Sequence, residues 1–233
     1  MTVEIEVVEN PARACGAMLV GAALGGGHVV LTGGSTPKAA YQELVAAVRN
    51  VGLDIGNTTF WLGDERCVAP DDERANSRMI KESLLDPLAG VTEPEFKRIK
   101  GELGPDEGAD DYERELMHAG PPDFDLLLLG VGPDGHTASL FPDQPAVHER
   151  SRLVVGVEKS GLEPFVPRVS LTFEAIARAR RVVVLVSGES KGEAVAAAFG
   201  SDARPDPHVP ASYLPEVARE LLVLTDPAAA RRL

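Results

Sequence analysis

Short apolar runs recur along the chain between stretches of helical periodicity. VEIEVV (3–8), HVVLTGG (28–34), TTFWLGD (58–64), FDLLLLGVG (124–132), RLVVGVE (152–158), RRVVVLVSG (180–188) and ELLVLTD (220–226) are rich in β-branched residues and leucine and are bounded by turn residues, so each predicts a strand. Because they alternate with helices, they imply a parallel or mostly parallel sheet covered on both faces. Between them, Asn10 and Pro11 read as cap and first position of a helix through Ala23, and Ser35 or Thr36 with Pro37 opens another through Val48. Segments 73–85, 106–119, 173–180 and 189–199 also read as helices. Pro/Gly-rich patches near 101–105, 120–122 and 204–210 read as loops. Strands alternating with helices, and no repeat or low-complexity run, predict one open, doubly wound α/β domain over residues 1–233.

Ligands of such sheets bind outside the carboxyl ends of the strands. That rule selects TGGSTP, GDER, GVGPDGH, PRVSLTF and SGESK, all expected to converge on one crevice. Composition then narrows the occupant. A formal net charge of -13 opposes nucleic-acid binding, which needs clustered Lys and Arg, and it also repels small anions unless local cations reverse the field. Arg66, Arg168 and Lys191, at three of the selected segments, gain interest for that reason. The opening MTVEIEVVEN lacks the basic start and apolar stretch of a signal peptide, and no apolar run approaches a membrane span, so a cytoplasmic location without membrane contact is expected. Cys15 and Cys67 fit reduced thiols. The oligomeric state is not legible; a monomer is the simpler expectation.

Three motifs invite other chemistry. Gly130, Gly132 and Gly135 spell GxGxxG, with Glu158 downstream, as in a dinucleotide fingerprint. Pro142 comes too soon after Gly135 for a helix that could direct its dipole at a pyrophosphate, and Pro133 sits within the turn, so no nucleotide cofactor is expected. Gly188, Ser190 and Gly192 spell GxSxG, with Asp202 or Asp206 and then His208 following, but only 43 residues come after Ser190, too few for a hydrolase triad on separate strands. His208, among Pro205, Pro207 and Pro210, reads as a surface-loop residue. Asp134 and His136 lack further ligands at metal spacing, so no metal is expected.

Read together, TGGSTPKAAYQEL, the GDER block with its Asn-Ser pair some ten residues later, GVGPDGHTASLFP, PRVSLTF and SGESK resemble the 6-phosphogluconolactonases over nearly the whole chain. The resemblance implies a Rossmann-like, three-layer α/β/α sandwich and hydrolysis of an anionic sugar-phosphate lactone without a cofactor. The same superfamily includes the glucosamine-6-phosphate deaminases, which share the aspartate at Asp64 and the Asp-Gly-His triplet at 134–136. Those enzymes then show a run resembling IAFNE, whose glutamate assists the histidine; here TASLF puts Phe141 at that position, and a phenyl ring accepts no proton. Deamination, and a sensor that binds sugar phosphate without turning it over, are the alternatives.

Lactone hydrolysis needs a base for the attacking water and donors for the oxyanion. Of the five histidines, only His136 stands in a Gly-rich turn after a buried strand, and an imidazole is well poised for proton transfer near neutral pH. Read alone it is either that base or a structural cap; the resemblance favours the base. Asp134 either orients the imidazole or, with Gly135, supports the turn. Asp64 either positions water or imidazole, or pairs with Arg66, whose guanidinium could also meet the oxyanion or a phosphate. Gly33, Gly34 and Ser35, between a strand and a helix N-terminus, are either a plain strand-to-helix turn or donors of N–H groups to a phosphate, and Arg168 and Lys191 match basic positions of the family.

Overall fold

The computed structural model describes residues 3–119 and 123–233, so the loop expected at 120–122 lies outside the described residues. Among the described residues there are ten strands: β1 (Val3–Val7), β2 (His28–Leu31), β3 (Thr59–Leu62), β4 (Asp64–Arg66), β5 (Glu95–Lys97), β6 (Leu126–Leu129), β7 (Val154–Val157), β8 (Arg168–Leu171), β9 (Arg181–Val186) and β10 (Leu221–Thr225). The helices are α1 (Pro11–Leu24), α2 (Ser35–Val51), α3 (Asn76–Ile80), α4 (Asp86–Leu88), α5 (Pro105–His118), α6 (Phe173–Ile176), α7 (Gly192–Phe199) and α8 (Leu214–Val217). Seven strands form a parallel sheet in the order β1-β10-β9-β6-β2-β3-β5, with helices on both faces. The expected α/β architecture is therefore observed. A single hydrophobic cluster runs through it, with Phe60, Trp61, Leu127 and Val182 to Val184 fully buried; burying each such side chain contributes on the order of 1.5–3 kcal/mol.

From β2 the chain winds towards β5, whereas from β6 it winds towards β1, so the winding reverses between β2 and β6. These two strands pair only at Val29–Leu126 and Val30–Leu127. Asp125 fastens their amino ends, its carboxylate accepting from the His28 N–H at 2.9 Å while its own N–H donates to the His28 carbonyl at 2.8 Å. Beyond these pairs the ladder stops and the carboxyl ends open a crevice, the position the winding rule singles out.

Strict βαβα order does not hold. GDER and PRVSLTF are not loops at the ends of sheet strands: β4 and β8 pair antiparallel with each other, and β8 pairs with β7, so RLVVGVE leaves the main sheet for a three-stranded one. Their short, partly polar sequences hide strands whose pairing is set by the tertiary fold. β5, a three-residue edge strand beside β3, carries no periodic signal either. The helix expected from 73 starts at Asn76, continues through a wider turn at Lys81–Leu85 and ends with α4. Its start is fixed by the Glu65 carboxylate, which accepts from the N–H groups of Asn76 and Ser77, both at 2.7 Å. α6 stops at Ile176 rather than 180, and 189–191 form a tight turn before α7.

Candidate active site

The crevice between β2 and β6 is a cavity of about 280 Å³, and residues from all five selected segments line it: Thr32 to Pro37, Asp64 and Arg66, Gly130 to Gly132 with His136, Arg168, and Ser187 with Lys191.

His136 reaches the cavity from a turn after β6 that is closed by backbone bonds from Gly132 N–H to the His136 carbonyl (2.9 Å) and from Gly135 N–H to the Gly132 carbonyl (3.0 Å). Gly135 has φ of +83°, where a side chain is strained. Gly132 is required for a different reason: a Cβ there would lie 2.0 Å from His136 Nδ1. No helix follows Gly135; Thr137 and Leu140 instead close a tight turn, so the GxGxxG run lacks the helix N-terminus a dinucleotide site needs. One carboxylate oxygen of Asp134 meets His136 Nδ1 at 2.5 Å and the His136 N–H at 3.2 Å, so it touches both the imidazole and the backbone of the turn. Burial raises its pKa, but the bond and charge of His136, with backbone N–H groups, outweigh that and hold the carboxyl below its ordinary value. With Nδ1 occupied, Nε2 is the nitrogen left for the cavity. The phenyl ring of Phe141 lies against the imidazole, ring centroids 4.7 Å apart and planes tilted by 45°.

Asp64 is buried and makes no ion pair with Arg66 among the described residues. Its carboxylate instead accepts from the Ser139 hydroxyl at 2.7 Å, and the Asn76 amide donates to its carbonyl at 2.9 Å. Arg66 donates to the Arg74 carbonyl, while its Nε is buried without a partner among the described residues. Arg168 is 3% exposed and anchored by bonds from Nε to the Val166 carbonyl (3.1 Å) and from Nη2 to the Pro164 carbonyl (2.8 Å). Burial, then the neighbouring charge of Arg66, lowers its guanidinium below the usual value, against the pull of Asp64 and Glu65. Lys191 is half-buried; desolvation lowers its ammonium, which the Asp134 charge partly offsets. Cations in so acidic a chain are thus gathered where a small anion would enter.

Opposite them, α2 starts without a side-chain cap at Gly34, whose φ is +113°. The Ser35 and Thr36 N–H groups precede the first intrahelical donor, Lys38, and lie at the positive end of a 17-residue helix. The loop before them is held by the buried Tyr41 hydroxyl, which donates to the Thr32 carbonyl at 2.7 Å and accepts from its N–H at 2.9 Å.

Sequence reasoning missed Ser139 and Glu65. Ser139 stood within TASLF, but no spacing rule says that it reaches Asp64; Glu65 lay between two residues that drew attention for their charge. Burial raises the Glu65 carboxyl above its ordinary range, although the N–H groups of Ser77, Asn76 and Arg66 oppose the shift. His208 lies on the surface, bonded to Asp206 and Asp143, and Ser190 is exposed.

Residues 7–223 match the family described as glucosamine-6-phosphate isomerases/6-phosphogluconolactonase. A 6-phosphogluconolactonase from Mycobacterium leprae is 38% identical over 213 residues, covering 87% of this chain and 84% of that protein. The solved structure of 6-phosphogluconolactonase from Trypanosoma brucei superposes with a TM-score of 0.85 at 27% identity, covering 100% of this chain and 99% of that one. A monomeric glucosamine-6-phosphate deaminase shares the fold with a TM-score of 0.84 at 20% identity, covering 99% of this chain and 100% of that one. Fold alone therefore does not separate the two chemistries.

Proposed function

The chain belongs to the glucosamine-6-phosphate isomerase/6-phosphogluconolactonase family, and on that premise we propose that it hydrolyses 6-phosphogluconolactone with His136 as general base. Supporting the lactonase over the deaminase are its relatives' names, at 35–40% identity, and Phe141 packed against His136. The observation that carries the reading is one cavity that joins an imidazole braced at Nδ1 to the cations Arg66, Arg168 and Lys191.

In this reading the lactone phosphate meets the N–H groups of the Gly33–Ser35 loop and α2, together with Arg168 and Lys191. The ring carbonyl turns towards His136 and Arg66. Nε2 takes a proton from water as its oxygen adds to the carbonyl carbon; the carbonyl electron pair moves to oxygen, where Arg66 offsets the charge. The tetrahedral intermediate then expels the ring oxygen, which takes the proton from the imidazolium, and the open-chain acid ionises. Asp134 keeps Nδ1 protonated and stabilises the transient imidazolium, while Asp64, held by Ser139 and Asn76, orients the water. General-base catalysis of this kind is worth about 10²–10⁴ in rate. No cofactor or metal enters these steps.

We take residues 1–233 as one domain acting as a monomer and working in the cytoplasm, which suits the two free cysteines. No helix among the described residues is long and apolar enough to cross a membrane. The test is acid release from freshly prepared 6-phosphogluconolactone, run beside an ammonia assay on glucosamine 6-phosphate. Acid release far above the spontaneous rate with no ammonia is expected; ammonia without accelerated acid release would overturn the proposal.

A further inference from the structure

We propose that Phe141 is a positioning residue for His136, its ring fixing the rotation of the imidazole so that Nε2 stays aimed into the cavity. This rests on the reading of His136 as the base. One hydrogen bond through Nδ1 fixes the direction of the imidazole in its own plane but not the tilt of that plane, and the His136 side chain is 20% exposed on the cavity side. The only ring beside it among the described residues is Phe141, 2% exposed, with centroids 4.7 Å apart. Phe141 is in turn held by its surroundings. Leu140 before it donates to the Thr137 carbonyl at 2.9 Å, and the Phe141 carbonyl accepts from Gln144 N–H at 3.2 Å. The backbone of the 158–166 loop also rests on the ring, since a Cβ at Gly161 would come 3.2 Å from its Cδ1. That loop supplies Leu162 and Glu163 to the cavity rim, so the ring joins the rim to the base.

Replacing the ring by a branched apolar side chain keeps the volume nearly filled but removes the flat face. Misplacing a reacting group by a fraction of an ångström lowers the chemical step while leaving substrate contacts in place. Phe141→Leu is therefore expected to lower kcat about tenfold with KM within about twofold of wild type. In NMR of the histidine rings, the His136 signals are expected to broaden or shift as the ring samples several tilts, while Asp134 keeps the tautomer unchanged. Rates are expressed per folded enzyme, from thermal unfolding of the same samples. Should the leucine variant not fold, Gly161→Ala, whose methyl crowds the ring, is read in the same way. Unchanged kcat in the folded variant, or a raised KM with unchanged kcat, overturns the inference, the latter because the ring would then serve the substrate directly. His136→Ala separates the two levels. If it retains full activity, the base assignment fails; if it is inactive while Phe141→Leu is fully active, only the positioning role fails.

Discussion

Asp134→Asn isolates the partner of the base with the least change in shape. The wild-type carboxylate meets His136 Nδ1 at 2.5 Å and, with 26% side-chain exposure, remains charged because His136 and backbone N–H groups hold its pKa down against burial. Two unit charges about 4 Å apart at an effective dielectric constant of about 20 interact by roughly 4 kcal/mol. The partial exposure of this pair reduces that figure, and about 1.4 kcal/mol corresponds to a tenfold rate change. A neutral amide is thus expected to lower kcat about 10²- to 10³-fold through loss of imidazolium stabilisation, and further where the amide N–H turns towards Nδ1 and moves the ring proton to Nε2. Steady-state acid release, with circular dichroism to verify folding, measures the effect. A folded variant with kcat within threefold of wild type would refute the coupling of Asp134 to His136.

Gly132→Ala puts a methyl where His136 Nδ1 and Asp134 Oδ1 now stand, at 2.0 and 2.5 Å from the new Cβ, so kcat is expected to fall about 10²-fold or more in a protein that still unfolds cooperatively on heating. Lys191→Met removes a half-buried cation from the cavity, so KM in steady-state assays is expected to rise about 10- to 100-fold, as loss of a charge-assisted bond to phosphate entails, with kcat less affected. Stability should fall in acid, as urea unfolding at pH 7 and pH 3 will show. The carboxyls of Asp134 and Asp226 lie below their ordinary values in the fold, and that of Glu149 is lowered to about 2. Groups depressed in this way stabilise the fold above their unfolded values near 4 and lose that contribution as pH falls through their folded values.

The strands with continuous apolar sequence, β2, β3, β6, β9 and β10, were legible because burial on both sides of a parallel sheet leaves no other composition. β4, β5 and β8 were not, because three or four residues such as DER or EFK become strands only through a partner supplied from far along the chain. The cavity residues were legible by type and position: Gly-rich turns and cations at strand ends. Their couplings were not. That Asp64 would bond Ser139, 75 positions away, rather than Arg66 two positions away, is a property of the small antiparallel sheet that turns β4 inward. Likewise Phe141 was legible as a missing carboxylate, whereas its contact with the imidazole follows from the turn at 137–140.

The central claim concerns His136, and the direct measurement is the rate of acid release from freshly prepared 6-phosphogluconolactone by wild type and by His136→Ala, each corrected for spontaneous opening. General-base catalysis predicts a loss of about 10²- to 10⁴-fold in kcat in a variant that keeps its fold and still binds 6-phosphogluconate. Equal rates in the two proteins would contradict the account.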